Sequence, residues 1–395
     1  MRHTVVLCLF LAACSPAESE SPNSGEGIPV VMSSLANPPG TCAIESTPRL
    51  TIGEEDSEPE YQLYRVFGAA KTSAGQIAVV NQGTQELRMF DSEGRFLGAN
   101  GRQGEGPGEF RAAFTLHVAA SGDSLWVGDY RPWEFEVFDA QGTWVRGMRP
   151  SPDLLNPPYP FGLTGAGFFV TSPTVAEGFP TDYEPEMHNV VVYDPQGNVV
   201  DTLGTFRGMR RGLLSAESNF VGAPHFESGF ELAAGPDRIA LGRGDRAEIE
   251  VREGSPPFAP LFRLAWDTEP ERVTQRDVER ERERILAASA DRSEEEIRMF
   301  VEPRVRPSRP AADTFPVFTG MGYGRDGTLW VEIYQKPGEE MDAWLAFDRD
   351  GQLLCSLEEP GYQIVEFGAD YVLVEAEGSQ GQEIVQEFAL GRPGM

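Results

Sequence analysis

Lysine is nearly missing from this chain: Lys71 and Lys336 are the only two among 33 lysines and arginines. Against 62 aspartates and glutamates this leaves a net charge of -29. A surface of that sign repels nucleic-acid phosphates and anionic headgroups, so nucleic acid is not expected as a partner. Histidine is scarce too, four in 395 residues, and His117, His188 and His225 have no metal-ligand spacing. No Cys-x-x-Cys, His-x-x-x-His or Gly-x-Ser-x-Gly pattern occurs, which removes common signatures of redox, zinc and serine-hydrolase sites. Beyond residue 14, no apolar run approaches the roughly 20 residues that a helix needs to cross a bilayer.

The N-terminus is the exception to the acidic, polar pattern. Met1-Arg2-His3 is a short positive start, Thr4 to Phe10 an apolar stretch, and Ala12-Ala13 a small pair before Cys14. That order is the layout of a secretory signal, and Leu11-Ala12-Ala13-Cys14 resembles the bacterial lipobox. The resemblance implies a signal peptide over 1–13, cleavage before Cys14 and lipid on its thiol. Two or three acyl chains anchor stably where one is marginal. The expected location is the cell envelope, at the outer membrane or periplasmic face, with the lipid as the sole membrane contact. Residues 14–43, rich in Ser, Pro, Glu, Gly and Asn, read as a flexible tether. Cys42 and Cys355 are left in the exported part. An oxidising compartment favours a disulfide between them; two buried thiols are the alternative.

A turn signature recurs downstream: Phe90-Asp91-x-x-Gly94, Phe138-Asp139-x-x-Gly142, Tyr193-Asp194-x-x-Gly197 and Phe347-Asp348-x-x-Gly351. Asp opens such a turn by accepting backbone hydrogen bonds, and Gly closes it in a left-handed conformation. Alternating apolar residues flank each copy, so each reads as a β-hairpin. A further strand precedes each hairpin, as in Leu125-Trp126-Val127 and Leu329-Trp330-Val331. Four short strands per unit and a period of roughly 50 residues are the mark of a propeller blade. The fold class expected is all-β: a six-bladed β-propeller over 44–395, with units near 60–105, 106–155, 156–212, 213–267, 312–360 and 361–395. Residues Arg49 to Ile52 are available to complete the last. Between the fourth and fifth units, about 268–310, a charged, helix-favouring stretch reads as an insertion of two helices, starting near Pro270 and broken near Ser289 to Ser293.

The run Gly101-Arg102-Gln103-Gly104-Glu105-Gly106-Pro107-Gly108-Glu109-Phe110 resembles the Gly-x-x-Gly-x-Gly-Pro-Gly-Glu-Phe motif of bacterial exported six-bladed β-propeller lipoproteins, relatives of NHL-type repeats. The resemblance implies export, frequent lipid anchoring and a closed ring of blades, and it brings no reaction with it. A phosphate loop is a poor reading of this run, because no lysine and no helix follow. The glycines are better explained as letting the backbone cross between blades, with Phe110 plugging the seam.

Propellers bind ligands at the mouth of their central channel. His117, Glu231 and Glu366 fall on predicted inner strands and are the channel candidates. Trp126 and Trp330 hold equivalent blade positions and read as packing. Tyr130 and Trp133 cluster in a connecting turn and read as an exposed recognition rim, beside the Pro-rich 156–160. The expected function is a non-catalytic, monomeric, envelope-anchored binding module for a protein, peptide or carbohydrate, with no cofactor. Two enzyme readings compete. One is a hydrolase or lactonase using calcium held by channel carboxylates. The other is a quinone-dependent sugar dehydrogenase, for which Arg207, Arg210 and Arg211 are the only dense basic group.

Overall fold

The computed structural model describes residues 27–35, 39–54, 58–119, 122–130, 133–154, 160–173, 182–215, 220–339 and 341–393. Nearly all of its regular structure is β-sheet. The hairpin turns form as their chemistry dictates. Asp91 Oδ1 accepts from the amides of Glu93 and Arg95 at 3.0 and 2.9 Å, and Gly94 follows at φ 78°. Asp139, Asp194 and Asp348 repeat the pattern, each accepting from the residues two and four ahead. A Cβ would be strained at each closing glycine.

Around these turns the chain folds into consecutive antiparallel units. Unit one holds Val66–Lys71, Ile77–Asn81, Glu86–Phe90 and Phe96–Asn100. Unit two holds Ala113–Val118, Ser124–Asp129, Glu134–Asp139 and Trp144–Met148. Unit three begins with Phe161–Leu163 and Phe169–Thr171, then a long hairpin of Glu184–Tyr193 and Val199–Ser215, edged by Phe220–Gly222. Unit four holds Phe230–Ala234, Arg238–Arg243, Glu248–Glu253 and Pro260–Trp266. Unit five holds Phe318–Tyr323, Leu329–Ile333, Asp342–Phe347 and Leu353–Glu359. Unit six holds Gln363–Phe367, Tyr371–Glu377 and Glu383–Gly391, and the N-terminal Leu50–Ile52 pairs on it as a fourth strand.

The second strands are apolar at their centres, as in the fully buried Ile77–Asn81, because both faces pack against neighbouring units. Each apolar cluster joins consecutive units. Leu87 and Met89 of unit one meet Leu125 and Phe138 of unit two, with Phe110 of the Gly-rich run buried in the same seam. Further clusters join two to three, three to four, four to five and five to six. A sixth joins Leu373 and Val385 of unit six to Ile77 and Phe90 of unit one, through Ile52. The arrangement is therefore propeller-like. In the Gly-rich run, a Cβ at Gly104 would stand 2.0 Å from the Glu109 carboxylate, which accepts from the amides of Glu105 and Gly106.

The expected tether is corrected at its C-terminal end. Val30–Ser33 pairs in parallel with Pro260–Trp266, and Thr41–Ile44 pairs with Leu353–Glu359 on one side and Glu383–Gly391 on the other. Averaged composition hides these short β-prone runs, whereas exposed sheet edges recruit them. Residues 14–26 lie outside the described residues, Cys14 among them. The helical segment is present, but Pro270 does not start it. Helix α1 spans Gln275–Ala287 because Thr274 and Asp277 form a capping box, and the backbone before it pairs instead, Val273 with Asp313 and Glu271 with Phe315. A second box at Ser293 and Glu296 restarts the helix, which runs on to Val305. This segment rests on the long hairpin of unit three: Arg306 donates to Leu213 O and Arg309 to Ala223 O.

Cys42 and Cys355 form a disulfide across 313 residues of sequence, and both are buried. Replacing both with serine should lower unfolding stability by about 2–5 kcal/mol, measured by urea denaturation. A variant chain as stable as the parent would show that the bridge contributes nothing to holding the N-terminal strand.

Candidate functional site

The first strands of all six units converge on one cavity of about 360 Å³. Each supplies a wall: Ala70, His117, Leu163, Ala234, Met321 and Glu366. Most of its lining residues are apolar, and Ala69, Ala70, Ala234, Gly320 and Gly322 are the small ones among them. Unit one is especially close: a Cβ at Gly68 would stand 3.0 Å from Leu116.

Arg325, in the turn after the first strand of unit five, secures one region of this cavity. Its guanidinium donates to Ala119 O at 3.0 Å and Val118 O at 3.3 Å in unit two, and to Lys71 O at 3.2 Å in unit one. It also faces Glu366 of unit six at 3.9 Å. Glu366 accepts from Tyr371 Oη at 2.6 Å and from the Lys71 amide at 3.1 Å. Lys71 Nζ turns away to Glu387 at 2.7 Å. Burial raises the Glu366 carboxyl above its ordinary value, and Arg325 only partly opposes this. A protonated Glu366 offers a donor where an ionised one offers only acceptors.

His117 faces the same cavity, its ring edge-on to Phe161 at 4.9 Å. Burial pushes it down to about 4, so it is a neutral imidazole at neutral pH. Glu231 sits on the first strand of unit four but outside this cavity's walls. Burial and, second, the Glu332 charge push it up to about 8. Glu332 does line the cavity, and burial raises it as well. Among the described residues, no group of three or more His, Cys, Asp or Glu side chains is placed to hold a metal ion. His117, Glu231 and Glu366 are accordingly not gathered into such a group.

The recognition rim is overturned at Trp133. Its ring is 0% exposed and packs edge-on against Phe114, Phe135 and Phe161. Tyr130 is half-buried against the same cluster. Eight aromatic rings supplied by units two and three meet in this cluster, and they could not be read as neighbours from one turn's sequence. Residues 131, 132 and 155–159, which include most of the Pro-rich segment, lie outside the described residues. Trp126 and Trp330 are buried packing residues as expected. His225 lies beneath the helical segment, its backbone paired with Pro310 and Ala312. Burial and the nearby Arg309 push it down to about 4. The basic group is dispersed, with Arg210 paired to Glu227 and Arg211 to Glu186. Arg325, Glu332, Tyr323 and Trp344 all line the cavity, and sequence reading missed them. The one available signal was the Gly324-Arg325-Asp326-Gly327 turn, which places Arg325 at the end of an inner strand.

No family model matches the chain, and no curated protein sequence does. Solved structures do. A member of the DUF4221 family from Bacteroides vulgatus is similar at 10% identity and a TM-score of 0.50, over 90% of this chain and 99% of that one. A protein from Bacteroides fragilis, inferred to be exported, is similar at 10% identity and a TM-score of 0.47, over 92% and 99%. Virginiamycin B lyase from Staphylococcus aureus is similar at 10% identity and a TM-score of 0.37, over 82% and 86%. At such identities the likeness concerns the arrangement of strands alone.

Two measurements test this description. Trp133→Ala should cost about 3–5 kcal/mol of stability, as for other buried tryptophans; a loss below about 1 kcal/mol by urea denaturation would restore the exposed reading. The second concerns pH. Glu231, pushed up to about 8, and Glu375, pushed up to about 7 by burial and Glu383, keep protons that the unfolded chain has lost. Their stabilisation is complete at acid pH and disappears as pH rises through 7 and 8. The depressed histidines act oppositely, costing stability only as pH falls below about 6.5. The melting temperature should therefore fall between pH 6.5 and 8.5, and fall less in Glu231→Gln. A flat or rising profile contradicts the burial of these carboxyls.

Proposed function

We propose that this chain is a six-bladed β-propeller of the exported, NHL-like lipoprotein type, held at the cell envelope by lipid on Cys14. In this reading it is a binding module and not an enzyme, and it takes part of a protein, peptide or carbohydrate into the axial cavity. The observation that carries the reading is the convergence of six first strands on one 360 Å³ cavity. Six blades are supported by the apolar clusters that join each unit to the next and unit six back to unit one. Export is supported by the lipobox-like N-terminus and the disulfide, which persists in oxidising compartments.

A binding role follows from the cavity's chemistry. Most residues that line it are apolar or aromatic, while its polar groups supply much of the exposed wall, so a ligand would meet both. The polar groups are a neutral His117, the Arg325 guanidinium, and the Glu332 and Glu366 carboxyls, which burial raises above their ordinary values. Such groups hydrogen-bond uncharged hydroxyl and amide partners. The volume suits one sugar ring or one bulky side chain of a larger partner.

Gly322 supplies the test. A Cβ there meets nothing within 4 Å, and the residue lines the cavity. Gly322→Leu should fill the space without disturbing the fold, whereas Gly98→Leu, at another open position, serves as a control. Immobilised protein exposed to envelope extract should retain a partner, Gly98→Leu should retain it equally, and Gly322→Leu should lose at least tenfold. Equal retention by Gly322→Leu, or no retention by the parent at any salt concentration, would remove the axial cavity as the binding site.

A further inference from the structure

A second cavity, of about 380 Å³, opens between units three and four and shares no lining residue with the axial one. Its charge is unlike that of the rest of the molecule. In a chain of net charge -29, four arginines line it, Arg207, Arg243, Arg246 and Arg263, against two glutamates, Glu248 and Glu250.

The carboxylates do not exhaust these cations. Glu250 is engaged by Arg252 at 2.5 Å. Glu248 reaches only Nη1 of Arg263, at 3.3 Å. Asp245 pairs with Arg243 at 3.0 Å and more loosely with Arg246 at 3.5 Å. Arg207 pairs with no carboxylate among the described residues, unlike its sequence neighbours Arg210 and Arg211. The Nε atoms of Arg243 and Arg263 are buried and have no acceptor. Burial holds the Arg243 guanidinium below its usual value, with Arg207 acting in the same direction and Asp245 against it. Buried charged donors without acceptors are costly, and the same holds for Arg238 and Arg392 elsewhere, so the case for a ligand rests on the gathering of four arginines with few carboxylates. Guanidinium groups bind carboxylate and phosphate through paired hydrogen bonds.

One wall is aromatic. The half-buried Phe206 ring stacks on Phe230 at 5.0 Å, and Phe230 stacks also with His188 at 5.2 Å. We infer that this cavity binds a small organic anion, its carboxylate or phosphate held among the four arginines and its apolar body laid on Phe206. The inference is independent of the axial site.

The test is calorimetric titration of the purified protein with phenyl phosphate, with benzoate, and with benzyl alcohol as the neutral control. At least one anion should bind, raise the melting temperature and bind more weakly as salt is added. Tighter phenyl phosphate assigns a phosphate ligand, and tighter benzoate a carboxylate. Arg207→Glu should weaken binding at least tenfold at an unchanged melting temperature, since that side chain is exposed and unpaired. Arg243→Gln should weaken it similarly. Gly322→Leu should bind as the parent does, which separates this site from the axial one. Any one of three results overturns the inference: neither anion binding at millimolar concentration, benzyl alcohol binding as tightly as the anions, or Arg207→Glu or Gly322→Leu behaving contrary to expectation.

Discussion

The packing of sheet on sheet, closed by the contact of unit six with unit one, is the constraint from which the remaining features follow. Each second strand is apolar on both faces and is stable only between two neighbours. Burying one valine or leucine side chain contributes roughly 1.5–3 kcal/mol, and that gain is available to Ile77 or Leu373 only when the series joins end to end. The join is made by strands distant in sequence: Leu50–Ile52 lies on Glu383–Gly391, and Thr41–Ile44 stitches units five and six. The disulfide of Cys42 with Cys355 sits inside that seam.

Closure also determines what the molecule offers to a ligand. Six first strands brought together leave a cavity too crowded for large residues on every strand, so alanine and glycine line it beside a few long side chains. Desolvation then governs the polar groups there. His117 is held neutral by burial, and Glu366 keeps a raised pKa although Arg325 faces it. The cavity sets a few buried polar groups, Arg325 among them, beside apolar residues, and it suits ligands recognised by hydrogen bonds and ring faces. The cavity between units three and four differs from it in gathering four arginines.

The misplaced residues share a cause. Trp133 stands in a polar turn, Asp129-Tyr130-Arg131-Pro132-Trp133, and local composition points it to solvent. The ring is buried because Phe161 and Phe169 of the next unit arrive beside it. Val30–Ser33 is embedded in a Ser- and Pro-rich stretch, and it is a strand because the edge of unit four accepts it. In both places a partner from far along the chain outweighed the local preference.

The sequence by itself determined the elements whose physics is local. Asp-x-x-Gly turns impose hairpins through hydrogen bonds spanning four residues, capping boxes start the helices, and alternating apolar residues mark two-faced strands. Tertiary structure alone decided which side chains meet. It put His117 and Glu366 on one cavity and left Glu231 outside it, brought Arg325 from one unit onto three others, and gathered Arg207 with Arg243, Arg246 and Arg263 across two units. The reason is that a binding site depends on distances between strands separated by tens to hundreds of residues, and no spacing along the chain encodes those distances until the units have packed together.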